Sequence, residues 1–235
     1  MKKIFAVAIA SLIGATSANA TSIYTTSGSS SMVSNGATSQ VYQNDGVTMT
    51  VTAGLFTDTP VTGDAVVTPG DSGARPTAYS SGTGILHNDN DGQHTVDGYY
   101  PEVVILSFDH VVELTSALFS YVNRNDTFDL FVDTDDDGVL ERVFENLAMP
   151  NSSVALVDLV GFNLVGKLFG IGTSSYQYNC RQTRRGGTKC DTYQPDWKLK
   201  AVQFTEVSEV PLPAALPLFM AGLAGFGFAS RRKKA

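Results

Sequence analysis

The stretch Val47-Thr48-Met49-Thr50-Val51-Thr52 decides the fold class, because apolar and hydroxyl-bearing side chains alternate along it. A two-residue period places the apolar side chains on one face of a β-strand and the threonines on the other. Further segments are rich in Val, Phe, Tyr, Leu and Thr, and Gly, Pro, Asn or Asp separate many of them. These segments are 102–108, 114–122, 127–132, 139–145 and 198–207. Short strands with turn residues between them predict an all-β body, an antiparallel β-sandwich or jelly roll.

Three other segments give less regular patterns. Residues 25–40 are rich in Ser, Thr, Gly and Asn, and they predict either a flexible lead or an edge strand with a turn. Residues 154–166 are the best candidate for an amphipathic helix, although two glycines weaken that interpretation. His110 lies in an apparent turn between two apolar runs, which favours a surface histidine there.

Composition excludes several classes of protein. The 235 residues include 16 Lys and Arg, 23 Asp and Glu, and two Cys, with a formal net charge of -7. A negative balance without basic blocks argues against nucleic-acid binding, which needs clustered cations. Two Cys are too few for a disulfide-built miniature scaffold or a four-Cys zinc ribbon. The length suits one large domain or two small ones.

The first twenty residues have the three parts of a secretory signal peptide. Lys2 and Lys3 precede an apolar run at 4–13, and Ala18-Asn19-Ala20 provides a small-residue cleavage site. The run is shorter than the ~20 residues that span a bilayer. We therefore expect cleavage after Ala20 and a mature chain that begins outside the cytoplasm.

The other end combines a proline-rich motif, an apolar run and a basic tail. The motif is Val210-Pro211-Leu212-Pro213-Ala214, residues 215–229 carry no charge, and the tail is Arg231-Arg232-Lys233-Lys234. As a helix, residues 210–230 would extend about 31 Å, which is enough for a hydrocarbon core. The basic tail predicts a cytoplasmic C-terminus, which agrees with an exported body. The expected location is the inner membrane first, and then the cell surface or the extracellular space.

This C-terminal arrangement resembles the PEP-CTERM class of bacterial sorting signals, in the variant whose motif reads VPLPA. The resemblance covers residues 210–235, and it implies recognition of Val210 to Ala214 by an exosortase, a membrane-embedded cysteine protease. The chain lacks the Pro-Glu-Pro that names the commonest form. An ordinary C-terminal membrane anchor is the alternative.

Between the two ends, residues 21–209 are predicted to form one extracytoplasmic domain. They contain ten of the basic residues and all 23 acids, so their formal net charge is -13. The short patterns Gly82-Thr83-Gly84-Ile85, His94-Thr95-Val96-Asp97 and Leu164-Val165-Gly166 resemble a family of exosortase-dependent surface proteins of unknown biochemical role. That resemblance implies a surface protein and supplies no catalytic residues.

The sharpest candidate for a ligand site is the segment from Asp133 to Glu141. Its order of carboxylates and glycine resembles the first half of an EF-hand calcium loop. The resemblance implies side-chain ligands at Asp133, Asp135 and Asp137, a carbonyl ligand at Val139, and Glu141 acting through water. Position twelve is Phe144 rather than Glu, and strands are predicted on both sides. The alternative is a plain hairpin whose Asp137-Gly138 forms the turn and whose carboxylates are merely solvated.

A second candidate is the segment enclosed by Cys180 and Cys190. In an exported chain, two nearby cysteines predict a disulfide, here closing a hairpin-like loop. The segment contains four cations in an acidic body, and they either belong to a solvated loop or are candidates for contact with an anionic polysaccharide. They are Arg181, Arg184, Arg185 and Lys189. Nearby aromatic residues are candidates for sugar stacking or for the core. They are Tyr176, Tyr178, Tyr193 and Trp197.

Two other patterns are weaker candidates for a functional site. Residues 87–97 hold two histidines and several carboxylates, which suit either a transition metal or an ordinary loop. The tetrapeptide Gly70-Asp71-Ser72-Gly73 resembles the nucleophile motif of trypsin-like proteases, but all three histidines follow the serine, against the order in that family.

We therefore expect a non-catalytic structural or adhesive surface protein. A carbohydrate-binding module is the close competitor, and a secreted hydrolase is the distant one.

Overall fold

The part of the chain that the structure describes forms sixteen β-strands. The computed structural model describes residues 20–56, 66–67, 73–87, 94–184 and 186–207, and no helix occurs in these ranges. The strands are β1 (Thr21–Tyr24), β2 (Met32–Asn35), β3 (Gln40–Asn44), β4 (Val47–Leu55), β5 (Val66–Val67), β6 (Arg75–Tyr79), β7 (Gly82–Leu86), β8 (Val96–Asp97), β9 (Glu102–Ser120), β10 (Thr127–Val132), β11 (Leu140–Ala148), β12 (Val154–Asp158), β13 (Val165–Gly172), β14 (Tyr176–Gln182), β15 (Thr188–Tyr193) and β16 (Asp196–Glu206). Every pairing is antiparallel, which confirms the predicted all-β antiparallel class.

The 19-residue strand β9 organises the body, because its two halves pair with different neighbours. The first half lies between β4 and β13 in the order β2-β3-β4-β9-β13-β10-β11-β5. The second half lies between β16 and β12, and β16 also pairs with β1, β7 and β8. β9 thus belongs both to the part of the sheet with β4 and β13 and to the part with β16 and β12.

The two parts of the sheet pack on each other through aromatic side chains. The ring of Phe108 lies 5.8 Å from that of Phe169 and 5.0 Å from that of Phe204. Phe119, from the second half of β9, lies 5.0 Å from Phe128 of β10. These contacts join strands from both parts into one hydrophobic core, which is consistent with the predicted sandwich.

The predicted turn at His110 is wrong, because β9 runs through that position without a break. Asp109 and His110 are exposed, and they interrupt the apolar pattern from which the turn was inferred. The polar pair marks the point where β9 exchanges one partner for another. Pairing with β4 ends at Phe108, and pairing with β16 begins at Val112.

The helix candidate at 154–166 is also wrong, since the segment contains β12 and the start of β13. Val154 and Leu156 are exposed while Ala155 is buried, so the pattern has the period of a strand. Gly161 adopts φ 93° between the two strands, and this left-handed conformation does not occur in a regular helix. In 25–40, the edge-strand alternative is the observed one, because β2 lies at the end of the sheet order.

Candidate functional site

The acidic segment connects β10 to β11 and brings three carboxylates together. One ligand oxygen each from Asp133, Asp135 and Asp137 lies within 4.8 Å of the others. Asp135 and Asp137 are exposed, and Asp133 is half-buried. An open groove of about 500 Å³ runs beside the loop and is lined by Asp133 to Asp136 and by Lys167. The three side chains predicted as ligands therefore converge at a place that solvent ions can reach.

Hydrogen bonds within the loop fix its backbone. The Asp133 carboxylate accepts from the amides of Asp137 (3.2 Å) and Gly138 (2.9 Å), and the Asp137 carboxylate accepts from the amide of Val139 (2.8 Å). Positive φ angles occur at Asp136 (61°) and Gly138 (84°), but not at Asp137. β10 ends at Val132 and β11 begins at Leu140, so the two strands form a hairpin whose connection is longer than a two-residue Asp137-Gly138 turn. The alternative that the carboxylates are merely solvated stands beside the calcium prediction.

The remaining predicted ligands are oriented differently. The Glu141 carboxylate accepts hydrogen bonds from the amide (3.2 Å) and hydroxyl (3.1 Å) of Thr134, across the base of the loop. The pKa of Asp135 is raised, mainly by the negative charge of Asp137, with smaller effects from burial and from the charges of Glu141 and Asp133. Mutual repulsion of this kind favours a bound cation, because the cation neutralises the charges that repel one another. The carbonyl ligand at Val139 stays a prediction.

The predicted disulfide is confirmed. Cys180 and Cys190 are bonded to each other, and their strands β14 and β15 form a separate two-stranded sheet. Arg181 and Lys189 are register partners on these two strands. Like charges placed opposite each other destabilise a strand pair, so the disulfide holds together a hairpin that carries an unfavourable charge pair.

The cations of this hairpin are exposed. Arg181, Arg184 and Lys189 all face solvent, and no carboxylate in the described ranges forms an ion pair with them. The fourth predicted cation, Arg185, falls outside those ranges. An anion would therefore not have to displace an internal partner from these cations, and the contact with an anionic partner stays a prediction.

Most of the aromatic residues near the hairpin make contacts with the body of the protein. Trp197 is fully buried, and its indole Nε1 donates to the carbonyl of Thr127 at 3.1 Å. The Tyr193 hydroxyl donates to the Asp126 carboxylate at 3.0 Å, and the Tyr176 hydroxyl donates to the carbonyl of Asn125 at 2.8 Å. Trp197 is thus a core residue, and the two tyrosines fasten the hairpin to the body.

Asp126 is the centre of this fastening. Its side chain accepts from Tyr193 and from the amides of Asn123 and Asp196, and the residue is almost fully buried. Burial raises the pKa of Asp126 and also that of the neighbouring Asp196. Burial and the Asp126 charge likewise raise the pKa of Tyr193. The site is structural, because hydrogen bonds from three sides hold the carboxylate in place.

The three histidines lie in different settings. His110 is exposed, and its Nδ1 lies 2.7 Å from the Asp109 carboxylate, a hydrogen bond that raises the pKa of His110. The ring of His87 packs on Tyr100, and that of His94 stacks on Tyr79. The segment 88–93 is outside the described ranges, so the suggested transition-metal site there stays untested. Within those ranges, only the three aspartates of the acidic loop form a cluster of metal-ligating groups.

Sequence reasoning missed the tandem tyrosines Tyr99 and Tyr100, which are 64% and 39% exposed. They lie in the turn between β8 and β9, beside the base of the disulfide hairpin. The turn sequence Asp97-Gly98 was the available signal, because Asp before Gly is typical of a tight turn.

Several predicted elements fall on residues that the structure leaves undescribed. These are the signal peptide up to Asn19, the sorting motif Val210 to Ala214 with the apolar run and basic tail, and Gly70-Asp71-Ser72. None of the described segments forms a helix with the length and apolar character that crossing a bilayer requires. No family model, no curated protein and no solved structure matches this chain.

Proposed function

We propose that this protein is an exported, non-catalytic component of the bacterial cell surface or extracellular matrix, with a structural or adhesive role. In this proposal, an exosortase-like membrane protease processes it at Val210 to Ala214, and the body is a β-sandwich. The observation that carries the proposal is the ordered C-terminal sequence of motif, apolar run and basic tail. It follows closely on β16, which ends at Glu206, and a signal-peptide pattern precedes β1.

Fractionation of cells that express an exosortase tests this proposal. We expect the full-length gene product to be recovered at the surface or in the medium, shortened at its C-terminus. Replacing Pro211 and Pro213 by alanine should leave most of the protein at full length in the inner membrane, because the protease then lacks its recognition motif. Western blots of membrane and surface fractions measure the distribution.

The matched control changes Ser208→Ala and Glu209→Gln, which directly precede the motif. That variant should be processed like the wild type. If the wild type also stays at full length in the membrane, like the proline variant, the segment is instead an ordinary anchor.

The acidic loop supports a second proposal, which is calcium binding that stabilises the body. Three carboxylate side chains converge there, and oxygen ligands of this kind are the ones that Ca²⁺ prefers. Ordering of the loop that joins β10 to β11 would strengthen the pairing of these two strands. An adhesive matrix protein gains from such a site, because calcium in the surroundings keeps the domain folded.

Calcium should raise the free energy of unfolding by about 3 kcal/mol when its concentration is about 100 times the Kd. Asp135→Ala should remove this gain, because it deletes one of the three converging carboxylates. Thermal unfolding in calcium and in chelator measures both effects. Asp158→Asn is the control, since Asp158 is an exposed aspartate in β12. Identical melting curves of the wild type in calcium and in chelator would contradict the calcium proposal.

Carbohydrate binding is a third candidate function, and the exposed cations of the disulfide hairpin favour it. Arg181 and Lys189 face each other on a hairpin of a body whose net charge is strongly negative. Uronic-acid polymers present carboxylates that pair with both cations. Such binding gives a surface protein an adhesive role without catalysis.

A further inference from the structure

We infer that the Tyr99–Tyr100 turn and the Cys180–Cys190 hairpin together form a binding site for an acidic, uronate-containing polysaccharide. The inference rests on the proposed carbohydrate-binding role, and it assigns the stacking platform of that site to residues outside the hairpin.

The turn holds two aromatic rings in solvent. Tyr99 and Tyr100 lie edge to face with ring centroids 4.7 Å apart, and Tyr100 packs on His87 at 4.6 Å. Tyrosine is the residue type that binding surfaces use for contact area at low entropic cost, since only two side-chain torsions need to be fixed. A sugar ring offers an apolar C–H face to such a ring and hydroxyl groups to its phenol.

The backbone of the turn is fixed on several sides. The Asp97 carboxylate accepts from the amides of Tyr99 (2.9 Å) and Tyr100 (3.2 Å). The amide of Phe56 donates to the carbonyl of Pro101 at 2.9 Å, at the other end of the turn. A platform held in this way loses little conformational entropy when a ligand binds, which favours affinity.

The same turn is attached to both ends of the hairpin. The amide of Gly98 donates to the carbonyl of Pro195 at 2.9 Å, just after β15. A Cβ added to Gly98 would lie 2.8 Å from the carbonyl carbon of Ser174 and 2.9 Å from the amide nitrogen of Ser175, just before β14. This close approach of two backbones places the two tyrosines next to the base of the cationic hairpin.

The hairpin supplies charge at a distance from the rings. Arg181 lies five residues beyond Tyr176 along β14, which is about 16 Å in a strand. A ligand that contacts the turn at the hairpin base and also the Arg181–Lys189 pair must therefore extend over several sugar units. Carboxylates bound between Arg181 and Lys189 relieve the repulsion of these register partners, so a uronate polymer fits better than a neutral one.

Single-stranded nucleic acid is the competing ligand, because it also combines stackable rings with negative charge. The formal net charge of -13 on residues 21–209 repels both polyanions, so it does not separate them. Nucleic-acid-binding surfaces carry a basic patch or stripe, whereas the cations here lie on one short strand pair of an acidic body. The polysaccharide is thus the favoured ligand, and nucleic acid is one outcome of the test.

The test measures binding of the full-length chain, purified in detergent, to polygalacturonate, to neutral dextran and to single-stranded DNA. We expect the tightest binding to polygalacturonate. The double variant Tyr99→Ala and Tyr100→Ala should weaken it about tenfold, in the range of tyrosine contacts at the centre of an interface. The double variant Arg181→Gln and Lys189→Gln should weaken it and reduce its dependence on salt.

Control variants separate binding from folding. Tyr24→Ala removes another exposed tyrosine, in β1, and should leave binding unchanged. Tyr99→Phe keeps the ring and should also retain binding. Tyr99→Ala alone tests the platform if the double variant unfolds, because its mostly exposed ring contributes little to the core.

Three outcomes would overturn the inference: no binding of polygalacturonate by the wild type, undiminished binding by a folded Tyr99→Ala variant, or equally tight binding of single-stranded DNA. Surface fractionation of the same variants distinguishes these failures from failure of the proposed function. A protein that reaches the surface without binding polygalacturonate refutes the binding site alone.

Discussion

Replacing Trp197 by alanine is expected to lower the free energy of unfolding by about 4 kcal/mol, the usual cost of removing a large buried aromatic side chain. Trp197 is the only tryptophan of the chain, and its side chain is fully buried. Its ring lies 5.0 Å from that of Phe119, and its Nε1 donates to the carbonyl of Thr127. Alanine removes both contacts and leaves a cavity at the start of β16.

Urea unfolding followed by circular dichroism measures the loss, because removal of Trp197 also removes the tryptophan fluorescence. Trp197→Phe is the matched variant and should cost about 2 kcal/mol, since it keeps a ring against Phe119. The Thr127 carbonyl keeps a second donor, the hydroxyl of Thr173 at 3.1 Å. An alanine variant within about 1 kcal/mol of the wild type would contradict a core position.

The parts of the fold that sequence predicts are those decided by local pattern. The alternation from Val47 to Thr52 predicts a strand, and the structure has β4 from Val47 to Leu55. Segment 127–132 coincides with β10. In β4 the alternation of side chains reveals which face is buried, whereas β10 is buried along its whole length and is predicted from its residue types.

Sequence reasoning failed where the environment of a strand changes along its length. Asp109 and His110 look like a turn in sequence, but β9 continues through them while it exchanges β4 for β16. That exchange depends on strands far away in the chain. Residues 154–166 contain apolar residues at helix-like spacing, yet Gly161 and its left-handed conformation divide them between two strands.

The candidate sites show the same division. The acidic loop and the cysteine pair are each contained in about ten residues, so their composition predicts them. Tyr99 and Tyr100 were missed because their role depends on a contact between Gly98 and the hairpin base, more than seventy residues further along. The burial of Trp197 likewise depends on Phe119 and Thr127, which belong to other strands.

A single methyl group at Gly84 is expected to destabilise the body by about 3 kcal/mol or more, the upper range for overpacking of a core. Gly84 lies in β7, and a Cβ added there would be only 1.6 Å from the carbonyl oxygen of His94. The obstacle is backbone, so a change of rotamer cannot relieve it. The backbone at His94 and Thr95 would have to move away. That movement disturbs the hydrogen bond from the amide of Ile85 to the carbonyl of Thr95.

Gly166→Ala is the matched control for Gly84→Ala, because both glycines lie in strands and neither has positive φ. At Gly166 the nearest atom to an added Cβ is 3.6 Å away, an ordinary contact, so that variant should lose less than about 1 kcal/mol. Thermal and urea unfolding compare the two variants. A Cβ added to Gly82 would likewise lie 2.6 Å from the carbonyl oxygen of Leu199 in β16. Close packing against neighbouring backbone therefore explains both glycines of Gly82-Thr83-Gly84. Equal stability of the two alanine variants would contradict this explanation, because it requires β7 to lie too close to its neighbours for any side chain at Gly84.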